Sequence, residues 1–231
     1  MKRILVAVIL VLVAGCAKFP GVSSGRSTRL VFSMTVDGQL RPDYVYRVAM
    51  NFTTEAPPTT QGPIPVVRAP WGNGYVDGTV TNFVDWQVSR YPPSGYGLYE
   101  FRGGDLNVPV QIGIPILSDV VQQGGKTLRF TIDLTQLGLT EAQILALKYV
   151  QVNFLTMDRI PTGNDPGTKF WDALGDSTTV SGIDEFVNVP LYISGTYSNV
   201  QGINNQGLEP RGDVQDPDLD IVGWQIDVQR P

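Results

Sequence analysis

The chain has 231 residues, with 17 Lys and Arg against 22 Asp and Glu, a formal net charge of −5, and no histidine. The lack of histidine excludes His-based catalytic triads, histidine general bases and His-ligated zinc, copper and haem. The acidic balance argues against nucleic-acid binding, because phosphate neutralisation requires clustered Lys and Arg. A single cysteine provides no disulfide, but a chain of this length can bury a full core without one.

The N-terminus is typical of an export signal. Lys2 and Arg3 form a short basic region, and an unbroken apolar run follows over residues 4–13, closed by small residues. The apolar run is too short to span a membrane, which takes ~20 residues. We therefore expect residues 1–15 to be a signal peptide that is removed.

The four residues that close this signal, VAGC at 13–16, match the lipobox of bacterial lipoproteins at every position. This resemblance implies that a diacylglycerol is attached to the Cys16 thiol, that the chain is cleaved before Cys16, and that the new amino group is usually acylated. Two or more acyl chains anchor a protein stably, whereas one holds it only marginally. The alternative interpretation is an ordinary signal peptide with a chance cysteine.

The segment after the lipobox predicts how the chain is displayed. Residues 17–28, AKFPGVSSGRST, are small and polar, so we expect a flexible lipidated tether over 16–28 and a single domain over 29–231. Ala17 follows the cysteine, which favours the outer membrane if the source has two membranes. Removal of residues 1–15 takes away two of the 17 basic side chains and leaves 15 against 22 acidic, a net charge of −7. Such a domain should stand off from anionic lipid, with the acyl chains as its membrane contact.

From residue 29 onward, apolar residues alternate with a period of two, which is typical of β-strands. The predicted strands are residues 30–36, 44–52, 79–88, 96–101, 108–116, 128–132, 149–157, 191–198 and 221–228. The fifth contains Pro109 and Pro115, so it is predicted to lie at a sheet edge. Short strands separated by turn residues predict an all-β chain, an antiparallel β-sandwich, with a barrel as the alternative.

One short helix is predicted. Thr140 is followed three residues later by Gln143, the spacing of a capping box, which places a helix at about residues 141–147. The strands on either side of it should adjoin each other and carry core residues. We expect burial of Phe130, Ile132, Val150, Val152 and Phe154.

Aromatic residues in turns provide the candidate ligand site. Trp71, Asn73 and Tyr75 lie in the Gly-rich stretch PWGNGY, and Trp171 and Asp172 lie in the stretch FWDALGD. If exposed, flat rings beside amide and carboxylate groups suit sugar recognition, and Trp and Tyr equally suit a protein interface. The third interpretation is that the rings cap the core, since aromatic residues bury large areas.

The order of four segments resembles that of the DOMON and family-9 carbohydrate-binding-module superfamily. The segments are residues 44–52, RFTIDLTQLGL at 129–139, YVQVNFLTMDR at 149–159 and FWDALGD at 170–176, with the short helix between the second and third. The resemblance implies a β-sandwich that binds sugar or haem. Haem-binding members use a histidine ligand that this chain lacks. Sugar-binding members stack the ligand between tryptophans, for which Trp71 and Trp171 are the candidates.

Four aspartates are concentrated just before the last predicted strand. Asp213, Asp216, Asp218 and Asp220 lie within eight residues, and hard oxygen ligands at short spacing suit calcium. The alternative is an acidic, proline-containing turn. We expect no other cofactor. We also expect no catalytic residues, because acidic side chains on turns and solvated strand faces are ordinary, and a single sequence does not indicate which carboxylates would meet as an acid–base pair.

These observations predict a lipid-anchored protein of the bacterial cell envelope with a non-catalytic β-sandwich domain. The domain would bind carbohydrate or another small ligand. The alternative is a structural or accessory subunit that docks on a membrane or cell-surface protein complex.

Overall fold

The computed structural model describes residues 27–179, 182–199 and 209–231. The predicted signal peptide, Cys16 and most of the tether therefore lie outside the described residues. The first seven strands are β1 (Arg29–Val36), β2 (Val45–Thr53), β3 (Pro63–Pro65), β4 (Val76–Gly78), β5 (Asn82–Trp86), β6 (Tyr96–Phe101) and β7 (Pro109–Gly113). They are followed by β8 (Leu117–Ser118), β9 (Thr127–Asp133), the helix α1 (Glu141–Ala146), β10 (Tyr149–Met157), β11 (Trp171–Ala173), β12 (Val187–Pro190), β13 (Gly195–Ser198) and β14 (Ile221–Gln229).

Two antiparallel sheets pack face to face, which confirms the predicted β-sandwich. The five-stranded sheet has the order β13-β14-β1-β9-β8. The seven-stranded sheet has the order β11-β10-β2-β5-β6-β7, and β12 pairs with β10 beside β11. The hairpin of β3 and β4 forms a third, two-stranded sheet.

Aromatic rings from both sheets form the centre of the core. The Phe32 ring lies 5.3 Å from the Phe130 ring in its own sheet and 6.4 Å from the Phe154 ring in the opposite sheet. All five predicted core residues are buried. The expectation that their strands adjoin is wrong: β9 and β10 lie in opposite sheets, because the connection through α1 carries the chain from one sheet to the other.

The helix begins with the predicted capping box. The Thr140 hydroxyl accepts a bond from the Gln143 backbone N–H, and the Gln143 side chain accepts one from the Thr140 N–H at 2.8 Å. The helix ends at Ala146, one residue earlier than expected. Across the three described ranges, no helix combines the length and apolar character needed to cross a bilayer.

The predicted edge strand, residues 108–116, contains β7 and ends just before β8, and both of these strands lie at sheet edges. β7 is the last strand of the seven-stranded sheet, and β8 is the last strand of the five-stranded sheet. The chain crosses between the sheets over residues 114–116, where the Ile116 N–H donates to the Thr131 carbonyl at 2.9 Å.

A second apolar layer covers the outer face of the seven-stranded sheet. Val45 and Ala49 of β2 point away from the central core and are nonetheless buried, together with Tyr75, Phe83 and Leu155. We call this second cluster the outer layer. Both faces of β2 are therefore buried, whereas the alternation in the sequence predicted burial of one face only.

Candidate functional site

The predicted aromatic loop is part of the outer layer and is not exposed. Trp71 is 5% exposed and Tyr75 is 6% exposed. The Trp71 indole N–H donates to the Asp165 carbonyl at 2.8 Å, and the Trp71 backbone N–H donates to the Gly163 carbonyl. The burial of these rings agrees with the interpretation that they cap the core, and the segment after β10 folds over the loop and covers them.

Asn73 and Gly74 shape this loop. The Asn73 side chain accepts bonds from the Tyr75 and Val76 backbone N–H groups and donates to the Val76 carbonyl, so all of these contacts are internal to the turn. Gly74 has a φ of 87°, and a Cβ there would lie 1.9 Å from the Pro161 carbonyl oxygen. Only glycine permits both the backbone conformation and this close approach.

Two buried cations lie beneath the loop. The Arg47 guanidinium donates to the Asp85 carboxylate at 2.5 and 2.7 Å, and it stacks 3.6 Å from the centre of the Tyr75 ring. Lys169 donates from its ammonium group to the carbonyls of Val66 at 2.5 Å and Gly74 at 3.0 Å. These bonds fasten the loop to the sheet.

The predicted convergence of the two aromatic segments is only partial. Trp171 is half-buried and packs on the outer layer, whereas Asp172 is fully buried and bonds to a different part of the molecule. A cleft of about 540 Å³ opens beside Trp71, lined by polar residues that include Arg68, Asp77 and Asn107. Glycan binding stays a prediction, and among the aromatic candidates only Trp171 is not fully buried.

Asp172 joins two of the predicted calcium ligands. One carboxylate oxygen from each of Asp172, Asp213 and Asp220 lies within 4.8 Å of the other two. Asp172 is on β11, and the other two residues precede β14. The group lies at the end of the sandwich where β10 finishes and β14 begins, since Asp172 is paired with Thr156 of β10.

Hydrogen bonds orient the three carboxylates. Asp172 accepts bonds from the Ser177 hydroxyl and the Ile221 backbone N–H, both at 2.7 Å. Asp213 accepts from the Ser177 backbone N–H at 2.7 Å, and Asp220 accepts from the Gly212 N–H. Backbone groups thus hold these side chains in one region and leave further oxygen lone pairs available.

A fourth carboxylate, Glu209, lies close enough to interact electrostatically with all three. Burial, followed by the charges of Asp172, Asp213 and Asp220, raises the pKa of Glu209 to about 11. Burial also raises the pKa of Asp172 to about 8, with a further contribution from Asp213. Among the described residues, Asp213 Oδ1 is buried without a hydrogen-bond partner, and the buried Glu209 oxygens have only the Gly175 backbone N–H near them, which acts to lower the pKa of Glu209 without a well-formed bond. We call these four residues the carboxylate cluster.

Asp216 and Asp218, the other two predicted ligands, lie elsewhere. Asp216 accepts a bond from the Tyr44 hydroxyl at 2.9 Å, and Asp218 accepts one from the Gln39 backbone N–H at 2.7 Å. The cluster contains Asp172 and Glu209 in their place. Sequence spacing did not reveal this exchange, because the contact between Asp172 and Asp220 joins segments separated by two further strands.

Comparison of the chain with protein-family models, with curated proteins and with solved structures finds no match. Function is therefore inferred from the residues and their geometry.

Proposed function

We propose that the chain is a lipid-anchored envelope protein whose β-sandwich is a non-catalytic binding module that is stabilised by calcium. The observation that carries the calcium assignment is the approach of one oxygen each from Asp172, Asp213 and Asp220 to within 4.8 Å of one another, with Asp213 Oδ1 buried and without a hydrogen-bond partner. Buried polar atoms without partners are rare in folded proteins and call for an explanation. A bound cation supplies one.

The spacing of the oxygens suits calcium. Calcium binds oxygen at about 2.4 Å, so two ligands of one ion lie no more than about 4.8 Å apart. The oxygens of Asp172, Asp213 and Asp220 meet this limit. Magnesium is less suitable, because it prefers a strict octahedron that keeps several waters, whereas calcium accepts many carboxylate oxygens.

Calcium would join two parts of the chain that are separated by a long connection. Asp172 belongs to β11 in the seven-stranded sheet, and Asp220 immediately precedes β14 in the five-stranded sheet. An ion between them would connect the two sheets at one end of the sandwich. Its role would be structural, because it would hold the two sheets together.

Thermal unfolding of the purified full-length chain, with calcium and with a chelator, tests this proposal. If free calcium exceeds Kd about 100-fold, the stabilisation of about 2.7 kcal/mol should raise Tm by roughly 5–10 °C. Asp213→Asn and Glu209→Gln should remove most of the rise. Asp216→Asn, a matched change in the same acidic segment but outside the cluster, should retain it. If calcium does not change the Tm of the parent chain, the proposal is contradicted.

The lipid anchor is tested separately at Cys16. Metabolic labelling with a fatty-acid analogue should mark the parent chain, and Cys16→Ser should remove the label and leave the signal peptide uncleaved by the lipoprotein route. The variant should therefore carry no lipid anchor, and any membrane association that it retains should depend on the uncleaved apolar run. Equal labelling of both chains would exclude Cys16 as the attachment site.

A further inference from the structure

The chain enters the sandwich at an end that also displays apolar side chains. Arg29, the first residue of β1, is paired with Asp133 on one side and with Gln229 on the other. The Ser27 hydroxyl donates to the Asp133 carboxylate. We call this end, defined by Ser27, Arg29, Asp133, Gln229 and Tyr149, the tether end.

Three exposed apolar residues belong to the tether end. Leu145 is 64% exposed on α1, which connects Asp133 to Tyr149. Tyr192 is 51% exposed, and its hydroxyl lies 3.2 Å from the Tyr149 hydroxyl. Ile193 is 54% exposed and directly follows Tyr192.

Ile114 adds a fourth apolar side chain beside them. It is 53% exposed, and its carbonyl accepts a bond from the Gln136 side chain at 2.8 Å. The same Gln136 side chain accepts a bond from the Asp133 backbone N–H. Ile114 is therefore attached to the tether end, although it comes from the segment that joins β7 to β8.

The charged residues that contact or adjoin this end are balanced. Lys148 donates its backbone N–H to Thr53, and Arg230 donates its backbone N–H to the Ser194 hydroxyl. Their two positive charges stand against the exposed Glu55 and Glu141. Arg29 is paired with Asp133 at 3.4 Å. The acidic excess of the whole chain is thus not repeated here, so this end is not repelled from an anionic surface.

We propose that the tether end seats on the lipid surface, with Leu145, Tyr192, Ile193 and Ile114 entering the interfacial region of the bilayer. Aliphatic side chains and tyrosine are the residues that favour this region, where one side is apolar and the other wet. The inference rests on the proposed lipidation of Cys16. Ten residues separate Cys16 from Ser27, and the eleven Cα–Cα steps between them reach at most about 40 Å at full extension, so the anchor holds this end close to the membrane.

The proposed membrane contact is made by apolar side chains rather than by charges. It departs from the expectation that the acidic domain stands off from anionic lipid. It also orients the molecule. The carboxylate cluster lies at the opposite end of the sandwich, where β14 begins, and would face away from the bilayer.

Site-specific fluorescence on the full-length lipidated chain tests the proposal. Cys16 is the only cysteine, and its thiol carries the lipid, so an introduced cysteine is the only free thiol. Leu145→Cys and Ile193→Cys are labelled with bimane and incorporated into phosphatidylethanolamine–phosphatidylglycerol vesicles that contain brominated acyl chains. The control is Phe170→Cys, which is equally exposed at 52% but bonds to Asp158 at the far end of β10. Thermal melts check that all three variants are folded.

We expect a blue shift and a loss of emission at positions 145 and 193, and neither at position 170. A protein that floats with the vesicles but shows no quenching at 145 and 193 overturns the inference and leaves the lipid anchor intact. A blue shift without quenching means that a second copy or another protein covers this end, and also overturns it. A protein that carries no lipid and does not float overturns both the anchor and the seat.

Discussion

Lys169 is a buried basic residue whose side-chain nitrogen donates to two carbonyls. In the described part of the chain, no carboxylate lies within ion-pair distance of it. Burial, followed by the charge of Arg47, lowers the pKa of Lys169 to about 7. A neutral amine has two N–H donors, which matches the two carbonyls of Val66 and Gly74. The residue therefore fits its site best without its proton.

The stability of the protein should report this titration. Between the folded pKa near 7 and the unfolded value near 10.4, only the unfolded chain holds the proton, so the contribution of Lys169 to the free energy of unfolding rises with pH. Lys169→Met should therefore cost on the order of 2 kcal/mol more at pH 9 than at pH 6, measured by urea unfolding. The exposed Lys148→Met should show no such difference. A cost independent of pH would mean that Lys169 stays charged.

For individual residues, the sequence indicated which ones share a loop better than it indicated which ones are buried. The aromatic and glycine residues of PWGNGY were singled out correctly as one loop, but burial by residues 160–169 could not be deduced, because it depends on a distant segment. Asp172 was chosen as a sugar contact for its position beside Trp171. The structure directs it into the carboxylate cluster, since adjacent side chains on a strand point to opposite faces.

β10 is the element on which the core depends most, because Phe154 contacts rings from both β1 and β14. Its ring lies 6.4 Å from that of Phe32 and 5.9 Å from that of Trp224. Phe154→Ala should therefore reduce the free energy of unfolding by about 3–5 kcal/mol. Phe170→Ala, the same change at a half-exposed site, should cost much less. Urea melts of the two variants measure the difference, and similar losses would show that burial at 154 does not determine stability.

Elements with strong local signals were predicted from the sequence, and elements without them were not. The capping box of α1 and the alternation of β1, β6 and β10 lie within short windows, so their bounds agree with the structure to within one or two residues. The hairpin of β3 and β4 was missed, because its strands are three residues long and one contains two prolines. Its pairing depends on the outer face of the seven-stranded sheet, which no local pattern describes.

For the molecule as a whole, pH and calcium should act on the same carboxylates. The raised pKa values of Asp172 and Glu209 mean that the folded, calcium-free protein holds protons that the unfolded chain releases above about pH 4. Their contribution to the free energy of unfolding therefore falls as pH rises from about 4. Calcium bound at the proposed site would replace these protons, so the Tm rise that it causes should be larger at about pH 7 than at about pH 5.

Melting curves with calcium and with chelator at both pH values measure this difference. Glu209→Gln should diminish it, and Asp216→Asn should leave it unchanged. Lys169, whose pKa is about 7, titrates alike with calcium and with chelator, so comparing the two melts at each pH removes its contribution. An equal calcium response at both pH values would show that the carboxylates are already ionised in the calcium-free protein.

The position of β1 has a consequence for how the protein is made. β1 lies at the centre of the five-stranded sheet, and its partners are β9 and β14, so Arg29 is paired with a residue almost at the other end of the chain. In a polypeptide exported N-terminus first, β1 emerges early and waits for β14 to cross the membrane. Closing a loop of this size is slow, and an unpaired strand is prone to aggregate meanwhile. If the chain is exported as proposed, the interval between translocation of the first and last strands is the stage at which aggregation competes most with folding.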